Sequence, residues 1–292
     1  MLGLPELDRD PEGRDRKYAA PLHSRSRRGA GGLSQTGEAR AGQGPPGQRS
    51  PLVLAIDTAG AACSVAVGRG DGLLGTEELA MAHGQAEALL PMVDRVMRAV
   101  PLQPAALDIV AATVGPGSFT GIRVGLAAAR GIALACGAPL VGVSAFAATA
   151  GAVASDRRAG CDFLLRDVLL IALESRRADL FVQLFDPALR PLSEPIALPP
   201  AALGDFIAAA AGDGAVLIAG DAAQRAADAL VTRRIQIRAT EVRATGAMPR
   251  AAGALRAALA CWRRGERGDA RPLYLRPPAV TLAAPSPRRS AC

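Results

Sequence analysis

Between residues 52 and 143 the chain sets short apolar runs, tight turns and long helical patterns in an order that few folds accept. LVLAID (52–57) and CSVAV (63–67), separated by a small-residue turn, predict a hairpin, and GLLGTEEL (72–79) predicts a third strand. Residues 85–100 then carry Leu89, Leu90, Val93, Val96, Met97 and Val100 at helical spacing. DIVAATV (108–114) reads as a strand, VGPGSFTGIRVGLAAARG (114–131) opens a helix that runs to Cys136, and PLVGV (139–143) is the next strand.

Three strands joined by turns, followed by alternating helix and strand, is the order of a ribonuclease H-like core, a mixed sheet covered by helices on both faces. A shorter version follows: VLLIAL (168–173) and LFVQLF (180–185) form a hairpin through the turn at 175–179, and AVLIAG (215–220) feeds a helix over 222–230. The predicted class is therefore α/β, an actin-like (ASKHA) two-lobed fold with ribonuclease H-like mixed sheets. With 292 residues, half of them hydrophobic but only 3% aromatic, its core must consist mainly of Ala, Val, Leu and Ile. The expected organisation is a disordered Arg/Gly/Pro-rich extension over 1–50, a first lobe over 51–150, a smaller second lobe over 151–275 and a flexible tail over 276–292.

The net charge of +7 would suit a nucleic-acid partner, yet Lys17 is the only lysine and no window interleaves basic and aromatic residues as a single-strand platform would. Five scattered cysteines without a CxxC pair, and no secretory apolar segment at the start, predict a cytoplasmic protein with reduced thiols. The longest apolar run, 126–143, is broken by Arg130 and Pro139 and reads as a buried helix and strand, not a membrane span.

Absent residue types exclude several chemistries. A Walker P-loop needs a lysine that the ordered region lacks, and an HExxH zinc site needs two histidines on one helix where only His23 and His83 exist. His83 with Glu87 one turn later is a single His–carboxylate pair, and the sequence reads it as the polar first turn of a helix. GPGSFTG (115–121) is not a GxSxG elbow around Ser118. Its glycines could offer N–H groups to an anion. Asp57, at the end of the first strand, could orient a metal-bound nucleotide, although the strands around it carry few of the further carboxylates that a metal nuclease needs. Beyond the turn, Gly117, Gly121, Gly125, Ala129, Ala133 and Gly137 recur every fourth residue. Glycine inside a helix costs about 0.5–1 kcal/mol relative to alanine, so something packs closely on this stripe, either the protein's own sheet and helices or a second subunit.

LAIDTAGAACSVAV (54–67), HGQAEALLPMVDRVM (83–97), VGPGSFTGIRVGLAAARGIAL (114–134), PLVGVSAFAA (139–148) and PLYLRPP (272–278) together resemble the TsaB (YeaZ) family over about 51–278. The GPGSFTG element is shared with the catalytic relative TsaD, whereas the order and spacing of the whole set point to TsaB. The resemblance implies a noncatalytic subunit with no cofactor of its own. It pairs with TsaD, which moves a threonylcarbamoyl group from its adenylate to N6 of the tRNA adenosine just 3′ of the anticodon. The ATPase TsaE is the third component, ATP is used by the complex through these partners, and tRNA is contacted indirectly or weakly. A further alternative is a homodimer, because the small-residue stripe could pair with itself when TsaD is absent.

In that family two helices from each partner form the heterodimer. They map here onto 85–100 and 118–136, with Gln85, Leu89, Leu90, Val93, Gly117, Ser118, Phe119, Thr120, Gly121, Arg123, Gly125 and Ala129 as interface residues. On this mapping Gly125→Leu should abolish the heterodimer and leave the chain folded. Asp57 and Thr58 are the nucleotide-binding positions that the resemblance would supply, but the second-lobe turn LESRRADLF (173–181) departs from the family's Asp-Ala-Arg pattern. The alternative is a stand-alone actin-like ATP-binding phosphotransferase or ATPase that uses Asp57.

Overall fold

A computed structural model describes residues 50–100, 102–156, 168–211, 216–231, 250–266 and 268–276. Of the expected extension over 1–50 and tail over 276–292, residues 1–49 and 277–292 lie outside the described residues. The first sheet contains β1 (Leu52–Asp57), β2 (Ala62–Arg69), β3 (Gly72–Ala80), β4 (Ile109–Gly115) and β5 (Leu140–Ser144), in the order β3-β2-β1-β4-β5. β1 runs antiparallel to β2 and parallel to β4, so the sheet is mixed, as expected.

β1 and β4 are buried at every position because both faces of the sheet are covered. α1 (Gln85–Ala99) and α2 (Phe119–Cys136) lie on one face, where Leu89, Met92, Ile122 and Leu126 pack on Leu52, Leu54 and Ile56. The intervening Val53 and Ala55 point to the opposite face.

A second sheet repeats the order with one strand fewer: β6 (Val168–Glu174), β7 (Leu180–Phe185), β8 (Ile196–Leu198) and β9 (Val216–Ala219), arranged β8-β7-β6-β9. α4 (Leu203–Ala211) and α5 (Ala223–Val231) cover one of its faces through Leu203, Ile207, Ala226 and Leu230. Its other face meets α3 (Ala145–Asp156), whose Phe146, Ala150 and Val153 pack on Leu169, Ile171 and Phe185.

The lobe boundaries differ from the expectation in one respect. α6 (Arg250–Arg263), inside the stretch assigned to the second lobe, packs through Ala251, Leu255 and Leu259 on Val53, Ala55 and Ile109 of the first sheet. The open face of that sheet needs an apolar cover, and α6 supplies it together with Ala148 of α3. α3 and α6 cross at Gly151 and Gly253, where a Cβ on either would overlap the other helix's backbone. Residues 268–276 then run back over the first lobe. Gly142 N donates to Gly268 O at 3.3 Å and Leu273 N to Val114 O at 2.7 Å, and Arg276 reaches the second lobe to pair with Asp179.

Candidate functional site

The C-terminal end of β1 places Asp57 beside Thr113 of β4, since the parallel register pairs Ile56 with Ala112. Asp57 is 2% exposed and fully engaged. Thr113 Oγ1 donates to Oδ1, the Ala59 N–H donates to the same oxygen at 3.2 Å, and Arg250 Nε donates to Oδ2 at 2.7 Å. Burial alone would lower the pKa of Arg250, but the Asp57 carboxylate more than reverses this and holds the guanidinium charged. The guanidinium also lies against Gly60, where a Cβ would overlap Nη2. The carboxylate that was a candidate for a metal-bound nucleotide is thus neutralised by an arginine from the first residue of α6, 193 positions away. Nothing local in the sequence signals that partner.

The GPGSFTG turn is fastened to the β1–β2 turn. Ser118 N donates to Ala59 O at 2.8 Å, Thr58 Oγ1 donates to Gly121 O at 2.7 Å, and Ser118 Oγ caps the helix by accepting from Gly121 N at 3.2 Å. A Cβ at Gly117 or Gly121 would overlap the carbonyl of Ala59 or Thr58, and one at Gly125 would overlap Thr58 Oγ1. Thr58, like Asp57, is therefore occupied inside the fold and not presented to a ligand.

This geometry corrects the mapping of the small-residue stripe. Gly121, Gly125 and Ala129 are buried against the chain's own β1 and its following turn, and Leu89 and Gln85 of α1 also face inward. They do not form a surface that another subunit can reach. Exposed on the same two helices are Leu90 at 55%, Phe119 at 47% and Leu134 at 85%, with Thr120 and Arg123 exposed and Val93 half-buried beside them. Gly131, off the stripe, has nothing within 4 Å of where its Cβ would lie.

His83 is exposed and precedes α1, which starts at Gln85 after the left-handed Gly84 (φ 91°). His83 and Glu87 therefore do not share a helical turn. Among the described residues no three His, Cys, Asp or Glu side chains converge as a metal-ligating group. A cleft of about 830 Å³ between the lobes is lined by Gly60, His83, Ser118, Glu174, Arg176 and Arg250, among others.

Residues 77–162 match the model of the family described as TsaD, tRNA N6-adenosine threonylcarbamoyltransferase. The tRNA threonylcarbamoyladenosine biosynthesis protein TsaB of Escherichia coli is 38% identical over 92 residues, 32% of this chain and 39% of that protein. A tRNA N6-adenosine threonylcarbamoyltransferase of Erythrobacter litoralis is 44% identical over 63 residues, 22% of this chain and 18% of that one. The chain thus spans well under two thirds of the length of these curated relatives. The crystal structure of YeaZ from Pseudomonas aeruginosa superposes with a TM-score of 0.60 at 27% identity, covering 77% of this chain and all of that one. A second Pseudomonas aeruginosa structure, described as similar to peptidase YEAZ, gives 0.63 at 28% over the same shares.

Two mixed sheets of one strand order around a common cleft define a two-lobed, actin-like α/β protein. Within that class, the similarity to the TsaB relatives and to the YeaZ structures supports a TsaB/YeaZ identification.

Proposed function

We propose that the chain is a noncatalytic subunit in tRNA threonylcarbamoyladenosine biosynthesis that binds and activates the transferase TsaD through the outer face of α1 and α2. The observation that carries this reading is the exposure of Leu90 on α1 and Leu134 on α2, with the open Gly131 one turn before Leu134. A helical glycine without an internal neighbour weakens the free chain by about 1 kcal/mol relative to alanine. Close approach of a partner helix would offset that loss. The matched relatives support the choice of partner, because their names belong to the same modification.

Noncatalysis is supported by the Arg250 guanidinium on Asp57, which leaves that carboxylate no vacancy for a metal nucleotide. This also argues against the stand-alone phosphotransferase or ATPase. ATP would be used in the complex through TsaE, the third component, in the cytoplasm, and the same face would pair two copies of the chain when TsaD is missing. Reconstitution tests the reading: threonylcarbamoyl transfer to tRNA by TsaD and TsaE should rise many-fold when the chain is added, while the chain alone turns over no ATP. Equal transfer without the chain, or ATP turnover lost in Asp57→Ala, would reject it.

A further inference from the structure

Only nine aromatic residues occur in the sequence, yet Phe119 and Tyr274 stack on the surface. Their ring centroids lie 5.5 Å apart with 29° between planes, and they are 47% and 40% exposed. The Arg123 guanidinium carbon sits 3.4 Å from the Phe119 centroid and 6.0 Å from that of Tyr274. One turn pair further along α2, Arg130 Nη2 donates to Ala270 O at 2.7 Å in the same 268–276 segment that carries Tyr274. Seven helical residues separate the two arginines by about 10 Å along the axis.

Charge distinguishes these two arginines from several others on the surface. Arg95, Arg98, Arg263 and Arg264 each pair with a neighbouring carboxylate. Among the described residues, no carboxylate pairs with Arg123 or Arg130, so the strip keeps its positive charge. Val124, Ala128 and Ile132 are half-buried in the core shared with α1, whereas Leu134 follows Arg130 by one turn on the strip's own face, so the strip adjoins the apolar surface.

We infer that Phe119, Arg123, Arg130 and Tyr274 form a contact surface for single-stranded RNA, with a base stacking on the aromatic pair and backbone phosphates at the two guanidinium groups. Stacked aromatics beside unneutralised arginines are what a sequence-tolerant single-strand surface requires. A span of about 10 Å corresponds to about three stacked nucleotides at 3.4 Å each. A protein partner would be expected to bring carboxylates to this strip, whereas the apolar flank beside it needs none. The inference extends the proposed function but rests on its own observation, and binding is measured on the chain without TsaD, so either can fail alone.

The test is fluorescence anisotropy of a labelled 12-nucleotide oligouridine against the full chain, titrated at several salt concentrations. Wild type should bind with salt-dependent affinity. Tyr274→Leu should weaken binding roughly tenfold at unchanged salt slope, and the double variant Arg123→Gln/Arg130→Gln should flatten the slope by about 1.4, near 0.7 per lost phosphate contact. Both arginines are exposed, so the double variant decides the matter if Tyr274→Leu does not fold. No binding by wild type, or variant affinities and slopes equal to wild type because residues 1–49 carry the binding, would overturn the inference. So would a double variant that binds RNA normally but no longer captures TsaD.

Discussion

Asp57 shows how one ion pair changes what a site can do. Its carboxylate is enclosed by Thr113, the Ala59 N–H and Arg250, and the pair is 2% and 14% exposed at its two side chains. Removing one member leaves the other charge buried, so Arg250→Ala should destabilise the fold by about 3–5 kcal/mol, measured by urea denaturation. A loss below 1 kcal/mol would mean that the pair is not held as described. Nearby Cys63 is fully buried, and burial, reinforced by Asp57 and Glu77, pushes its thiol up from 9.0 to about 11. The folded state therefore keeps a proton that the unfolded chain releases, and stability should fall as pH rises from 9 to about 11. Thermal melts across that range should show the fall, and Cys63→Ala should reduce it. The sequence exposed Asp57 as a candidate because it ends an apolar run, but it could not expose Arg250, whose contact depends on the chain returning to the first lobe.

At the scale of the element, α2 separates two kinds of glycine that look alike in the sequence. The four-residue recurrence correctly signals close packing, yet periodicity says only that a face is small, not what lies against it. Contact with Thr58 and Ala59 assigns Gly117, Gly121 and Gly125 to the protein's own turn. Gly125→Leu should therefore unfold or strongly destabilise the isolated chain, contrary to the expectation drawn from the mapping, as a circular-dichroism melt would reveal. Gly131→Ala should do the reverse, raising stability by about 0.5–1 kcal/mol through helix propensity while weakening association with TsaD. If Gly131→Ala left both unchanged, Gly131 would have no part in the partner surface. The signal available in the sequence was that Gly131 falls out of step with the stripe.

Across the whole molecule, strands were legible where apolar runs are bounded by turns, which is why nearly all of both sheets could be read in advance. The three-residue β8 is too short to give such a run. α3 and α6 were not legible for a different reason. AFAATAGAVASD meets a sheet on each side, and RAAGALRAALACWR is built largely of alanine, so neither shows a clear polar face. Without them the chain's return to the first lobe, the burial of Asp57 and the stack of Tyr274 on Phe119 could not be foreseen. What results is a two-lobed body whose Asp57 carboxylate is tied up internally and whose most exposed large apolar side chain, Leu134, lies on α2.

The most direct measurement is size-exclusion chromatography with light scattering on the full chain mixed with TsaD of the same organism, comparing wild type with Leu134→Asp. Leu134 is 85% exposed, so its replacement should leave the melting curve of the isolated chain unchanged. The account predicts a one-to-one complex for wild type and separate peaks for the variant. An equally stable complex with Leu134→Asp, or no complex with wild type even when nucleotide and TsaE are present, would contradict it.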